Sequence, residues 1–241
     1  MPEKPRTAGG YRGEHLALVR ATCLYIATKL GDLMDDLVVV GGLVPSLLVD
    51  QESGEAGFER HAGTMDLDIG LTAPLLDRGK YREISDRLRR SGFAPDDNAA
   101  GNPTRQRWKI VAREKVTIDF LMPPTSADER GGSLRDLEPD FAAVVAPGLQ
   151  LAFRDRVLIS LSGQTIAGED ATRDIWVCGA GAFVVLKALA FGLRGENKDA
   201  YDLFYVLRNY GASIENVVEC LRPLLDDKNA MKAIELLRWD F

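Results

Sequence analysis

Two aspartates separated by one residue, Asp66 and Asp68, stand in the alternating segment Met65-Asp66-Leu67-Asp68-Ile69, and a third, Asp119, interrupts the β-forming segment Val116-Thr-Ile-Asp-Phe-Leu121. On a strand, residues i and i+2 project from one face, about 6.6–6.8 Å apart at their Cα atoms. Two carboxylates on a core face are strongly unfavourable unless a cation accompanies them. Magnesium takes one or two carboxylates and completes its shell with phosphate oxygens, so it is the matching ion, with manganese as the alternative. Acid-x-acid spacing alone is weak evidence. Glu138-Pro139-Asp140 repeats it in a segment that reads as a loop, and a solvated strand face is the commoner origin of such a pair. Asp119 shifts the balance, because aspartate is disfavoured mid-strand. If its strand lies beside that of Asp66 and Asp68, three carboxylates converge as in a two-metal phosphoryl-transfer site.

Other residues suit the same chemistry. Gly41-Gly42 follows the short run Leu37-Val38-Val39-Val40 and precedes a helix-like segment, Leu43 to Val49. A glycine pair there is most often a plain turn, but it also lets backbone approach phosphate oxygens, next to amides that favour an anion. Farther on, Lys187, Arg194 and Lys198 are spaced by seven and four, with Asp199 and Asp202 directly after them. Phe183, Leu186, Leu189 and Ala190 surround Lys187 with apolar side chains, which draws its ammonium toward an anion. The spacing predicts either a cationic wall across a cleft or an ordinary surface Lys–Asp pair. Arg105 to Lys115 holds five basic residues with Trp108 among them, either a nucleic-acid contact or a solvated hairpin face. His15 reads as a surface residue, and His61 stands just before the Asp66 strand.

The elements that must position these groups follow from pattern. Glu14 to Leu30 carries apolar residues at helical spacing, as does Tyr81 to Arg90. Trp108 to Ala112 and Val116 to Leu121 form two strands around Arg113-Glu114-Lys115, a hairpin pattern. Met122 to Gly132, with two prolines and two glycines, is the best linker or long loop. Arg156 to Leu161 and Ile175 to Cys178 read as strands. Helical patterns then cover Phe183 to Leu193, Asp199 to Asn209, Ile214 to Leu225 and Ala230 to Trp239. The expected organisation is a flexible arm over 1–13, an α/β domain over 14–178 and a helical C-terminal domain over 179–241.

Composition bounds the function. The chain has 241 residues, 46% hydrophobic and 27% charged, which excludes disorder for most of it. Its net charge of −6 argues against a surface given over to nucleic acid. Three scattered cysteines (Cys23, Cys178, Cys220) fit reduced core thiols in a cytoplasmic protein. No apolar run approaches the ~20 residues needed to span a bilayer, so no membrane role is expected.

Val40-Gly41-Gly42, Gly63-Thr64-Met65-Asp66-Leu67-Asp68 and Ile118-Asp119-Phe120 together resemble the signature of the polymerase-beta-like nucleotidyltransferase superfamily. Lys187 to Arg194, followed by Lys198-Asp199-Ala-Tyr-Asp202-Leu, is similar to the C-terminal pattern of AbiEii-type nucleotidyltransferases, typically the toxin half of bacterial toxin–antitoxin pairs. The resemblance spans roughly Leu37 to Leu207. It implies an α+β fold, a mixed sheet flanked by helices with a mainly helical C-terminal part. It also implies magnesium-dependent transfer of a nucleoside monophosphate from an NTP to a hydroxyl acceptor such as tRNA, and a cognate antitoxin as partner. Asp66, Asp68 and Asp119 would hold the metal, with Asp119 also orienting or deprotonating the acceptor. Lys187 would act on the phosphates. Gly41, Gly42, Thr64, Lys187, Arg194, Lys198, Asp199 and Asp202 would bind the nucleotide. One departure is Ala62, which stands where relatives carry an arginine; Arg60 and His61 are the nearest substitutes. A small-molecule or protein acceptor, and a catalytically silent nucleotide- or partner-binding module, are the alternatives.

Overall fold

The computed structural model describes residues 10, 13–52, 58–72, 78–111, 114–126 and 128–240. Most of the expected arm over 1–13, and Arg113 of the hairpin, lie outside these residues. The chain forms α1 (Gly13–Leu30), β1 (Leu37–Val40), α2 (Val44–Leu48), β2 (Asp66–Leu71), α3 (Arg78–Arg90), β3 (Ala94–Asp97), β4 (Pro103–Val111), β5 (Lys115–Met122), β6 (Leu134–Glu138) and β7 (Phe141–Val145). It continues with α4 (Leu151–Arg154), β8 (Arg156–Gln164), β9 (Asp170–Cys178), α5 (Ala180–Arg194), α6 (Asn197–Asn209), α7 (Ile214–Leu221) and α8 (Lys228–Asp240). The fold is α+β, with helices on a mixed sheet.

The strands form one sheet in the order β3-β4-β5-β2-β1-β9-β8, and β7 adds to β5 beyond the end of its pairing with β4, carrying β6 with it. β1, all four residues buried, reads as a continuous apolar run because both its faces are covered. β2 and β5 run parallel, with Asp68 opposite Asp119, while β4 returns antiparallel along the other side of β5, with Arg107 opposite the same Asp119. Side chains alternate across this sheet. Leu67, Ile69, Ile118, Phe120 and Trp108 point to the face covered by α1 and α3, where Arg89 of α3 lies over the Trp108 ring. Asp66, Asp68, Asp119 and Arg107 point to the other face.

α5 to α8 belong to that second side. One core cluster runs from Val19 of α1 through the sheet to Ala233 of α8, continuous across residue 178. α5 is the hub of the helical part, packing on α6, α7 and α8. It starts after Gly179, where Asp155 accepts the Ala182 N–H at 2.8 Å, and ends at Gly195 in the left-handed conformation.

Three sequence expectations change. Pro139-Asp140 is the turn of the β6–β7 hairpin, and Glu138 is the last residue of β6. The segment read as a linker ends one residue before β6 and leads directly into the sheet. The Leu43–Val49 helix is a short helical turn followed by the five residues of α2.

Candidate active site

Asp66, Asp68 and Asp119 occupy one sheet face because period 2 places i and i+2 together on β2, and parallel register sets Asp119 beside Asp68. The Asp66 carboxylate accepts the Thr117 hydroxyl at 2.5 Å. Asp68 leans on Gly41, which holds a φ of 72°, and a Cβ built on Gly41 would stand 1.9 Å from Asp68 Oδ2. The glycine is therefore required twice, by the backbone turn and by the carboxylate lying over it. Gly42 plays the same part for Thr64, whose Oγ1 would lie 2.7 Å from a Cβ there. In this structure the glycine pair thus admits protein side chains, with Thr64 buried against Gly42 and bonded back to Asp66 O at 3.2 Å.

The donor chemistry of Asp66 and Asp68 fits magnesium, which takes hard oxygens from one or two carboxylates. Asp119 is engaged differently. Arg107 donates to both of its oxygens, Nε at 2.7 Å and Nη2 at 2.5 Å. Asp119, joined by Asp66 and Asp68, holds Arg107 well above the usual arginine range against the opposing effect of burial. Among the described residues, no group of three or more His, Cys, Asp or Glu side chains is placed to hold a metal ion. The expected three-carboxylate centre is thus a carboxylate pair beside an arginine-bound third.

Across from the acidic row stands a second charged cluster, built on α5 and α6. Asp199 and Asp202 are 1% and 0% exposed, and carboxylates that deep require partners. Lys187 Nζ lies 3.0 Å from Asp199 Oδ1 and, as an ion pair outside hydrogen-bond alignment, 2.8 Å from Asp202 Oδ2. Arg194 clasps Asp199 through Nε and Nη2 at 2.7 and 2.8 Å. Lys198 pairs with Asp202 one helical turn away, and His61 Nε2 lies 2.8 Å from Asp202 Oδ1. Burial would raise Asp202, but Lys187, His61 and Lys198 hold it well below the carboxylate range. Burial would lower Lys187, yet Asp202 and Asp199 keep it above the ordinary lysine value. Burial lowers His61, so the ring is neutral at pH 7. Among the described residues, Lys187, Arg194 and Lys198 thus gather around the carboxylates of Asp199 and Asp202.

A cavity of about 440 Å³ separates the two clusters. Gly41 and Asp68 line it from the sheet, and Lys187, Arg194 and Asp199 from the helices. Asp199 raises Arg194, whose side chain is 56% exposed, and the Asp68 charge across the cavity adds to that effect. Leu121, Phe183, Leu186, Leu189 and Leu236 make the remaining wall largely apolar.

Several expected roles are corrected by this geometry. Asp202 is fully buried among His61, Lys187 and Lys198, and does not reach the cavity. Gly42, Thr64, Asp66, Asp119 and Lys198 likewise fall outside its lining. His61 is packed between Tyr201 and Tyr205 with no side-chain exposure, so it cannot replace the arginine missing at position 62. Arg60 turns outward to Glu52 at 2.7 Å. Trp108 is fully buried, edge-on to Phe141, so it stacks on no base. Around it, Arg105 pairs with Asp136, Lys109 with Asp96 and Asp97, and Lys115 with Asp96.

Sequence reasoning passed over Arg107 as a site residue. The signal was present in the hairpin, since strands joined around residues 112–114 place 107 opposite 119.

No family model matches the chain, and no curated protein is similar to it. Among solved structures, it is similar to an antigenic nucleotidyltransferase-like protein from Paracoccidioides brasiliensis, at 16% identity and a TM-score of 0.47, over 90% of this chain and 93% of that one. It is also similar to the antibiotic-resistance factor ANT(2'')-Ia, at 15% identity and a TM-score of 0.39, over 88% and 96% of the two chains.

Proposed function

We propose that this protein is a magnesium-dependent nucleotidyltransferase that moves a nucleoside monophosphate from an NTP to a hydroxyl acceptor. One observation carries the reading: Asp68 of the acidic row and the basic side chains Lys187 and Arg194 of α5 line the same cavity, Asp68 from the sheet and the cations from the helices. An NTP–metal pair needs that combination, carboxylates for the ion and cations for the phosphates. Asp66 and Asp68 would hold the ion, which when bound neutralises phosphate charge and orients the triphosphate. Arg194, half exposed and already clasped to Asp199, is preorganised to meet a phosphate oxygen at low reorganisation cost. Lys187 supplies charge from behind it, and Asp199 and Asp202 fix both positions. Gly41 keeps the Asp68 carboxylate at the cavity edge.

For the acceptor we put forward an RNA hydroxyl such as that of tRNA, in a toxin-type enzyme with a cognate antitoxin, on the strength of the AbiEii-like C-terminal motif. A small-molecule acceptor is a second reading, favoured by the burial of Trp108 and the pairing of Arg105, Lys109 and Lys115 with carboxylates. A transfer assay with α-labelled NTPs against total tRNA, cell protein and small hydroxyl compounds tests both. Label in tRNA supports the first, label in a small compound the second. No label in any acceptor, with magnesium or manganese, overturns the enzyme reading.

A further inference from the structure

Among the described residues, the sheet ends on β3, β6 and β8. An edge strand offers unpaired backbone groups to another chain, and folds blunt such edges with short strands, proline and charge. β3 is four residues long, holds Pro95 and ends in Asp96 and Asp97, which pair with Lys109 and Lys115. β6 carries Arg135, Asp136 and Glu138 within five residues. β8 has none of these guards. Its nine residues contain no proline, and their single charge, Arg156, lies over the Trp176 ring at 4.0 Å and donates to Asp35 O. The ladder from β8 to β9 is regular from Arg156–Cys178 to Gln164–Asp170. Beyond its two ends the Gly179 N–H donates to Asp155 O and the Thr165 N–H to Glu169 O, both at 2.8 Å. Alternation between these points turns the backbone groups of the odd-numbered residues toward β9 and those of Leu158, Ser160 and Ser162 outward. The side chains alternate as well. Leu161 is buried and Val157 and Ile159 pack on the core, whereas Leu158 is 55% exposed and Ser160 and Ser162 are exposed.

We propose that β8 pairs antiparallel with β8 of a second copy of this chain, about a twofold axis at Ser160, so that two sheets become one. That register uses the whole strand. It sets Leu158 against Ser162 and Arg156 against Gln164 of the second copy, so no like charges meet. Ile159 then stands opposite Leu161 of the second copy, and the apolar row on the covered face continues across the axis. A strand of another protein would meet the same backbone groups, but the match of β8 to its own reversed sequence favours self-association. The inference is independent of the NTP reading, because β8 contributes no residue to the cavity.

Sedimentation equilibrium of the full chain tests this over a concentration series reaching about 100 μM, where a micromolar Kd gives mostly dimer. The mass should rise from 26.4 kDa toward twice that value. Ser160→Pro removes an outward N–H and none that β9 uses, so it should weaken dimerisation about tenfold or more. Its melting temperature in dilute solution should match that of the parent. Ser160→Lys and Ser160→Glu each set like charges face to face on the axis and should weaken self-association, whereas an equimolar mixture of the two should form mixed dimers. A parent that stays monomeric throughout the series overturns the proposal, and so does a Ser160→Pro variant that dimerises as the parent does. Should Ser160→Pro fail to fold, the charged pair decides. Mixed dimers formed in preference to either homodimer support the axis at Ser160, and no such preference overturns it.

Discussion

Gly41 and Lys187 show how single residues set what the site can do. At Gly41 a methyl group would collide with Asp68 Oδ2 and would demand a left-handed conformation of an L-residue. Gly41→Ala should cost about 1–3 kcal/mol and, by displacing Asp68, reduce transfer ~10²-fold. Thermal melts and the transfer assay check both, and a variant with wild-type transfer would show that Asp68 needs no such seat. The pattern of Lys187 suggests a lysine facing bound phosphate, one whose replacement by methionine leaves the fold intact. The structure corrects this, because Lys187 neutralises Asp199 and Asp202 in the interior. Lys187→Met should destabilise by about 3 kcal/mol, the low end for a broken buried pair, because Arg194 and Lys198 stay in place. An unchanged melting temperature with lost transfer would return Lys187 to the role of a direct phosphate contact. The three aspartates were legible because alternation along a strand fixes their face. The Lys187 environment was not, because its two carboxylates come from the next helix.

At the scale of elements, strand register and helix crossing decide which groups meet. The β4–β5 hairpin was legible as a hairpin, but its consequence, Arg107 on Asp119, appears only when residues are counted outward from the turn. β6 and β7 were missed because Glu138-Pro139-Asp140 reads as a loop, whereas proline occupies the turn and the apolar run Phe141 to Val145 is a strand. The segment before β2 brings His61 to α6, a pairing that no local pattern announces. This contact has a pH signature. Burial lowers His61 in the folded protein, so below about pH 6.5 the unfolded chain binds the extra proton and stability falls as pH falls. Asp199 and Asp202 are shifted downward, so their contribution persists until pH drops below about 4. Denaturant unfolding between pH 8 and 5 should therefore show a decline of at most about 1.4 kcal/mol per pH unit, reduced in His61→Gln. An equal decline in that variant would assign the proton elsewhere. Helix crossing is equally exacting at Gly181, where a Cβ would lie 2.5 Å from the Cys220 carbonyl group. Gly181→Ala should push α7 from α5 at a cost of about 1–3 kcal/mol, read as a lower melting temperature. An unchanged melt would mean that the helices accommodate the methyl group.

The whole molecule is arranged so that neither half makes the cavity alone. β1, β2 and β5 contribute Val40, Asp68 and Leu121, while α5 and α8 contribute Lys187, Arg194 and Leu236, with one apolar core joining the two sides. That division was legible in outline, as an α/β part followed by a helical part. The cavity between them was not, since it depends on how α5 is seated over the sheet face. A ligand bridging the two walls stabilises the folded state by RT ln(1 + [L]/Kd), about 2.7 kcal/mol at one hundred times Kd. Magnesium alone meets the acidic row, where Arg107 already offsets part of the charge. An NTP alone meets Arg194 but also faces Asp68, a like charge across the cavity. Together they cancel that repulsion, because the ion takes oxygens from both the carboxylates and the triphosphate. The melting temperature should thus rise more with magnesium and an NTP than the sum of the two separate shifts, and Asp68→Asn should abolish the excess. Equal stabilisation by the NTP in EDTA would break the link between the two walls and leave the cavity a metal-independent anion site.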